Sequence, residues 1–512
     1  MPAQTPLALP AVRSPYAAPL SSRGPVQDAP VWPPGGPSRR PALWPPLGAG
    51  PSWRTVGLLG LTGAWGGATL LAPLGLQWTL LGTGALGVLL DAVRRDPALA
   101  GARLGRGDRI LLGLALALLV VPALRDDQVL AVLSILASLG LVAIVTHGAE
   151  RAGQILLSGA VALGGAVRSW GWLGARAKTA QVPVGSRRVA GGVGRGLLIG
   201  LPGALLVGAL LASADAAYGD LLRRLGPSVD GMLPVRMVVS AVVIAVVGGA
   251  IHGLARTPRW RPSQPVTPWQ AAEWATPVLL LDGLLGLWLV VQAGRLVGLH
   301  PSSAVADRAR EGFFQLVIVT VVVVLTLVVS GLRADLAQRG QRRLLVGILC
   351  VTTAFTLVVV GSALERMVRY EQAYGATVLR LEVAVAEVWL GVVLVVGGIA
   401  WMRQRASRLP RAIVGSAAIV LLGLGIAGPE ALVARWNVER FERTGAIDVG
   451  HARQLSADAV PELSRLPEPW RSCALAGALP APSPWYAANL ARERARAVLA
   501  GAPTGTCLTS VP

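Results

Sequence analysis

The chain has 512 residues, 53% apolar and only 14% charged, with a mean hydropathy of +0.58 and a formal net charge of +20. A soluble domain carries about 25% charged residues, so this composition excludes an ordinary soluble enzyme and points to the bilayer as solvent. The basic excess is not interleaved with aromatics as a nucleic-acid groove requires, and nucleic acid is not an expected partner.

Residues 1–50 hold 13 of the 37 prolines and no apolar core of the kind a secretory signal needs. Residues 1–54 therefore read as a disordered, proline-rich cytoplasmic tail. Eleven apolar runs follow, at 55–72, 76–92, 110–124, 129–147, 196–212, 235–253, 276–293, 313–332, 344–362, 383–401 and 412–428. Each is read as a membrane-spanning helix, with a range of 10–12. The stretch 155–173, broken by Gly159, Gly164, Gly165 and Arg168, reads as an interfacial or re-entrant segment. The expected fold is an all-α integral membrane protein. Its transmembrane domain runs from 55 to 428, and a small, mostly helical extracytoplasmic region occupies 429–512.

Charge gives an orientation. With the N-terminus inside and spans alternating, the inner segments hold 28 Lys/Arg against 7 Asp/Glu, and the outer segments 19 against 18. Such a bias is the positive-inside signature. It predicts a multi-pass plasma-membrane protein with a cytoplasmic N-terminus and an extracytoplasmic C-terminus. Trp53, Trp78, Trp274 and Trp401 fall near predicted span ends and read as interfacial anchors. Of the three cysteines, Cys350 lies within a run and reads as a small buried hydrophobe. Cys473 and Cys507 share the C-terminal region and are a candidate disulfide if that compartment is oxidising. The four histidines are dispersed and no CxxC occurs, so no metal and no cofactor are expected.

Several strings recur in an ordered series: LLASADAAYGDLL at 210–222, EW at 273–274, LLD ending at Asp282, VQ at 291–292, EGFFQL at 311–316, RYEQAYGATVLRLE at 369–382, LSADAVPEL at 455–463 and WYAANLARERARAVL at 485–499. Together they resemble the bacterial membrane family known as domain of unknown function 4173, from about residue 200 to 500. The resemblance implies a multi-span bacterial membrane protein and carries no activity. In it, Glu387 stands where an apolar residue is usual.

Few polar residues could carry chemistry. Asp282, about six residues into a run, must be paired, hydrated or protonated. It reads either as a proton or cation site or as a hydrogen bond locking two helices. Glu387 lies a turn inside its run, able to reach the interface or Arg380, and Gln292 is a third intramembrane polar candidate. The outer loops offer Ser213, Asp215, Arg369, Tyr374 and Arg380. Asp215 reads as a helix cap, and Ser213 lacks a neighbouring base to make it a nucleophile. Asp448 and Asp458 read as helix starts, and 487–500 as a basic amphipathic helix that packs on the outer loops or lies on anionic lipid. With no catalytic constellation visible, the expectation is a non-catalytic scaffold or sensor-like membrane component, with the bilayer and envelope proteins as partners. The alternatives are an ion- or proton-coupled transporter using Asp282, and a membrane enzyme acting on a lipid-linked substrate.

Overall fold

The computed structural model describes residues 43–46, 50–179, 207, 211, 215, 232–258, 260, 269–296, 305–334, 338–403 and 409–501. Among them the secondary structure is helical, apart from one isolated bridge between Trp269 and Ala334. The helices are α1 (Trp53–Thr69), α2 (Leu76–Arg95), α3 (Arg106–Leu118), the one-turn α4 (Val121–Leu124), α5 (Gln128–Thr146) and α6 (Ala152–Thr179). They continue with α7 (Leu233–Ala255), α8 (Ala271–Leu296), α9 (Val305–Arg333), α10 (Arg339–Tyr374), α11 (Val378–Met402) and α12 (Leu409–Ala427). Five more follow: α13 (Pro429–Thr444), α14 (Val449–Ala452), α15 (Val460–Leu463), α16 (Trp470–Ala474) and α17 (Leu490–Gly501).

Eight described stretches are long and apolar enough to cross a membrane: Leu76–Arg95, Arg106–Leu124, Gln128–Thr146, Leu233–Ala255, Ala271–Gly294, Arg339–Tyr374, Val378–Ala400 and Leu409–Ala427. The expected count of eleven is thus not reached among the described residues. Run 55–72 forms α1, of 17 residues, and run 313–332 contains the shorter apolar stretch Gln315–Gly331. Run 196–212 lies outside the described residues but for Val207 and Leu211. The spans expose large apolar side chains, such as Leu136 on α5, Leu284 on α8 and Leu325 on α9. Lipid, not water, is the solvent that accommodates such a surface.

The stretch 155–173 lies within one unbroken helix, α6. Its buried face carries Ser158, Val161, Ala166, Ser169 and Trp172, yet Leu156, Leu163 and Val167 are exposed on the other side. The helix is continuous, and it is not among the stretches long and apolar enough to cross a membrane. Of the three glycines expected to break it, Gly165 is closely packed, a Cβ there coming 2.9 Å from His147 Nε2. Of the expected tail 1–54, residues 43–46 and 50–54 are described: α1 already begins at Trp53, capped by Ser52, and Trp44 is packed, its ring 5.7 Å from that of His147. Residues 1–42 lie outside the described ones.

Three cores organise the molecule. In the first, α7 is gripped between α1 and α6. A Cβ on Gly67 would come 2.4 Å from the Arg236 carbonyl of α7, and one on Gly249 would come 2.7 Å from Cα of Ala166. Glycine at these positions lets the backbones approach. Leu89, Leu118, Leu141, Trp172 and Ile251 fill the space around them. The second core joins α8 to α11 through Trp274, Val278, Val323, Leu345 and Val359. The third belongs to residues 434–495, with Val438, Ala459, Leu463 and Leu475 at its centre.

The connections sort to two ends. At one end Ser52 N–H donates to Asp96, Arg411 to the Ala149 carbonyl and Asp108, Trp260 to the His147 carbonyl and Arg342 to the Met402 carbonyl. At the other, the α1–α2 turn, the α4–α5 turn, the α10–α11 hairpin and the end of α12 all meet the C-terminal region. Alternating spans produce such a division. Trp274 departs from its expected role. It is fully buried, with Nε1 donating to Gln341 at 3.2 Å and its carbonyl accepting from Ser330 at 3.0 Å. Its helix turns that face inward, toward the second core. Cys350 departs the other way, being free and exposed on α10.

Candidate functional site

The most heavily built polar site is the junction between the C-terminal region and the bundle. It begins at Gly428, whose φ of +73° needs glycine and where a Cβ would sit 2.5 Å from Arg125 Nη1. The space it leaves admits the Arg125 guanidinium. Nε of that group donates to the Gly425 carbonyl at 2.7 Å and Nη2 to the Ile426 carbonyl. Both are last-turn carbonyls of α12 that would otherwise lack partners. Nη1 reaches Asp458 Oδ1 at 3.1 Å, while Asp458 Oδ2 accepts from the Asp126 N–H at 2.6 Å. Asp458 was expected to start a helix. Ser456 does that instead, its hydroxyl accepting from the Asp458 N–H, and the carboxylate is spent on the bundle.

Asn489 and Arg492 make the second attachment. Asn489 Nδ2 donates to the Pro122 and Arg125 carbonyls at 2.9 and 2.7 Å, and its Oδ1 accepts from the Arg492 N–H at 3.0 Å. Arg492 is 8% exposed and donates to the Leu74 carbonyl at 2.6 Å and the Ala487 carbonyl at 3.0 Å. Its Nη1 lies 3.6 Å from Asp126 Oδ1. Helix α17 thus packs on the loops with Arg492 inward. At the α10–α11 hairpin, Asn437 brackets Ala376, accepting from its N–H and donating to its carbonyl, both at 2.9 Å. Arg440 donates to the Ala373 carbonyl at 2.7 Å.

The electrostatics of this junction are unbalanced. Burial pushes Glu430 up to about 7, with Asp127 and Asp458 adding to the rise and hydrogen bonds from Ser456 opposing it. Burial also raises Asp126, against the pull of Arg492, and Asp127, against bonds from the Leu130 and Val129 N–H groups. Asp127 Oδ1 caps α5 at Leu130, while its buried Oδ2 has no partner. Chemically the cluster holds a carboxyl that gains or loses a proton near neutrality.

The two intramembrane acids occupy separate places in the second bundle. Asp282 is 8% exposed, and its Oδ2 accepts from Thr352 Oγ1 of α10 at 3.0 Å, while Oδ1 has no partner. Glu387 neither reaches the interface nor pairs with Arg380. It is fully buried beside Thr320 of α9, with neither oxygen in bonding geometry. Its position on α11 points it into the bundle, and Arg380 instead lies over the Tyr370 ring at 4.1 Å. Gln292 is half-buried near the end of α8.

Among the outer-loop candidates, Arg369 pairs with Glu365 on its own helix and Tyr374 stacks on Tyr370 with centroids 4.6 Å apart. Together with Arg380 they form one patch at the α10–α11 hairpin. Asp215 is exposed, and its N–H donates to the Leu211 carbonyl at 2.9 Å. Ser213 and Cys507 lie outside the described residues. Cys473 is buried and disulfide-bonded. Asp448 does cap α14, accepting from the His451 N–H at 2.9 Å.

Two histidines that read as dispersed come together. His147 and His252 are 1% and 0% exposed, with the Trp44 ring 5.7 Å from the first and 5.5 Å from the second. His147 Nδ1 faces the Ala143 carbonyl at 3.1 Å. The one signal for this pairing is that both fall at the ends of runs assigned to the same side.

The sequence profile of the family described as Domain of unknown function (DUF4153) matches residues 112–466. No curated protein and no solved structure matches the chain. The likeness to domain of unknown function 4173 is therefore overturned. That likeness rested on short separate strings, whereas the profile runs from within α3 to just past α15. The protein belongs to the family of domain of unknown function 4153.

Proposed function

We propose that this is a non-catalytic, scaffold or sensor-like protein of the plasma membrane, whose C-terminal region is a rigid extracytoplasmic platform for envelope proteins. The observation that supports it is the buried attachment of that region through Arg125, Asn489 and Arg492. A region with its own core, held at three separate turns of the bundle, presents its outer surface in a fixed orientation. Arg342 and Arg411 gather at the opposite end, which supports a cytoplasmic N-terminus. The test is photo-crosslinking in cells from exposed Leu479 and Trp436, with an alkaline phosphatase fusion at Pro512. Crosslinks to envelope proteins and an active phosphatase are expected. An inactive phosphatase with a working cytoplasmic reporter at the same position refutes the orientation. An absence of crosslinks from both positions refutes the platform.

A second reading, a proton- or ion-coupled transporter, is favoured by the unmet oxygens of Asp282 and Glu387, since intramembrane acids commonly mark ion pathways. Asp282→Asn decides it. If that variant restores every phenotype of a deletion strain, Asp282 is a structural link between α8 and α10.

A further inference from the structure

His147 follows the last residue of α5 and His252 stands in the last turn of α7, at the end of the bundle away from the C-terminal region. Both rings are fully buried, yet three of their four nitrogens, His147 Nε2 and both of His252, have no hydrogen-bond partner. His147 Nδ1 donates to the Ala143 carbonyl at 3.1 Å, so the bare Nε2 carries the lone pair that takes a second proton. Unmet buried nitrogens cost free energy, and a native protein that keeps them needs a reason to do so. A Cβ on Gly165 or Gly253 would already come 2.9 or 2.8 Å from His147 Nε2, so there is no room on those sides for a solute to satisfy it.

The surroundings of the pair are aromatic and cationic. The Trp44 and Trp172 rings lie 5.5 and 5.6 Å from that of His252. The charged groups that act on His252 are Arg168 of α6 and Arg256 just past α7, together with His147 itself. Among the described residues no carboxylate acts on either ring, and Glu150, the acid nearest His147 in sequence, is exposed. A proton arriving on either ring therefore puts a charge in a dry site beside two guanidinium groups, with no anion to balance it.

What covers the pair belongs to no helix. Trp44 is half-buried between exposed Leu43 and Pro46, and it fits a niche at Gly165, where a Cβ would come 3.4 Å from its ring. Arg168 holds it there, donating to the Pro45 carbonyl at 3.2 Å with its guanidinium 5.8 Å from the Trp44 ring centroid. Such a segment lifts without breaking any helical hydrogen bond. We propose that His147 and His252 form a proton-binding site closed by a Trp44 lid, and that protonation of the pair releases residues 43–46 from the bundle. The closed site has no place for the charge, whereas with the lid lifted the rings meet water and titrate at the ordinary imidazole value of about 6.5. Closure is thus complete above that pH and is lost as pH falls below it.

The test follows Trp44 in the full-length protein in nanodiscs, using hydroxynitrobenzyl bromide as a tryptophan reagent and peptide mass spectrometry to locate the label. Exposed Trp485 corrects for the reagent's own pH dependence, and buried Trp172 reports any wider opening. From about pH 7.5 to about 5.5, labelling of Trp44 should rise about tenfold for each imidazole that takes a proton, up to about a hundredfold, with Trp172 unlabelled. His252→Gln should cut the rise to about tenfold or less, and His147→Gln with His252→Gln should abolish it, since a neutral amide takes no proton. No change with pH, a parallel rise at Trp172, or an undiminished rise in the paired variant would each overturn the proposal. If the paired variant does not fold, Trp44→Ala and the pH series of the unaltered protein decide. In Trp44→Ala, diethyl pyrocarbonate at neutral pH should modify His252 about tenfold faster, the worth of one aromatic contact; a His252 that stays unreactive means that Trp44 is no lid.

Discussion

Glu430→Gln removes the proton exchange at the heart of the C-terminal junction while keeping the size and the acceptor oxygen. Burial carries this carboxyl from its ordinary value of 4.5 to about 7. The gap corresponds to roughly 3 kcal/mol, at about 1.4 kcal/mol for each pH unit. Because the folded value is the higher one, the stabilisation is complete below pH 4.5 and is lost as pH rises through about 7. Ionised Glu430 then faces Asp127 and Asp458, with Arg125 and Arg492 as the nearby cations and Glu382 of α11 a further acid that feels Asp127. Asp126 and Asp127 are raised too, so their contributions have the same sign. Hydrogen exchange of amides in 449–475, corrected for the intrinsic rate, reads the local opening. Between pH 5 and 8 the opening constant of the unaltered protein should rise by about a hundredfold, the equivalent of that free energy. Glu430→Gln should flatten most of the rise and leave the remainder from the two aspartates. An opening constant that does not change with pH, or an identical slope in the variant, would refute the assignment of this proton to Glu430.

Other expectations follow from the same contacts. Arg492→Ala strands the Leu74 and Ala487 carbonyls and Asp126 and should cost about 3–5 kcal/mol, read as faster proteolysis within 429–501. Arg492→Lys should not rescue it, since one ammonium cannot span those acceptors. Gly428→Ala should lose about 1–2 kcal/mol from its left-handed backbone alone and more from displacing Arg125, measured as a lowered unfolding midpoint. A double-mutant cycle of Asp282→Asn and Thr352→Val should give a coupling of about 0.6–1.7 kcal/mol, as for hydrogen bonds between membrane helices. A coupling of zero would remove that bond as a link between α8 and α10.

The sequence made the locations of eight long apolar helices legible because uninterrupted apolar runs are a one-dimensional signal. The rotation of each helix about its axis was not legible. In a run apolar on every side, nothing tells which face meets protein, so Glu387 and Trp274 read as interfacial yet are fully buried, while Cys350 read as buried and is exposed. The polar junction was hidden for another reason. Arg125 and Asp458 are 333 positions apart, and Arg492 and Leu74 are 418 apart, so no local pattern connects them. Arg492 resembles Arg494 and Arg496 in an amphipathic helix, and only docking distinguishes it. The side assignment carried part of this information, since every member of the junction fell on one predicted side.

Leu76 N–H donates to the Ala488 carbonyl at 3.0 Å, and Gly75 is pressed against the Ala487–Ala488 peptide. This has a consequence for biogenesis. The ribosome makes the turn after α1 hundreds of residues before it makes its partner. During that interval the carbonyls of Leu74, Pro122 and Arg125 face water, and the inserted helices wait as an incomplete intermediate. A segment made after α12 closes the turn made after α1, so a stop near residue 428 leaves all the described spans synthesised and that end of the bundle unfinished.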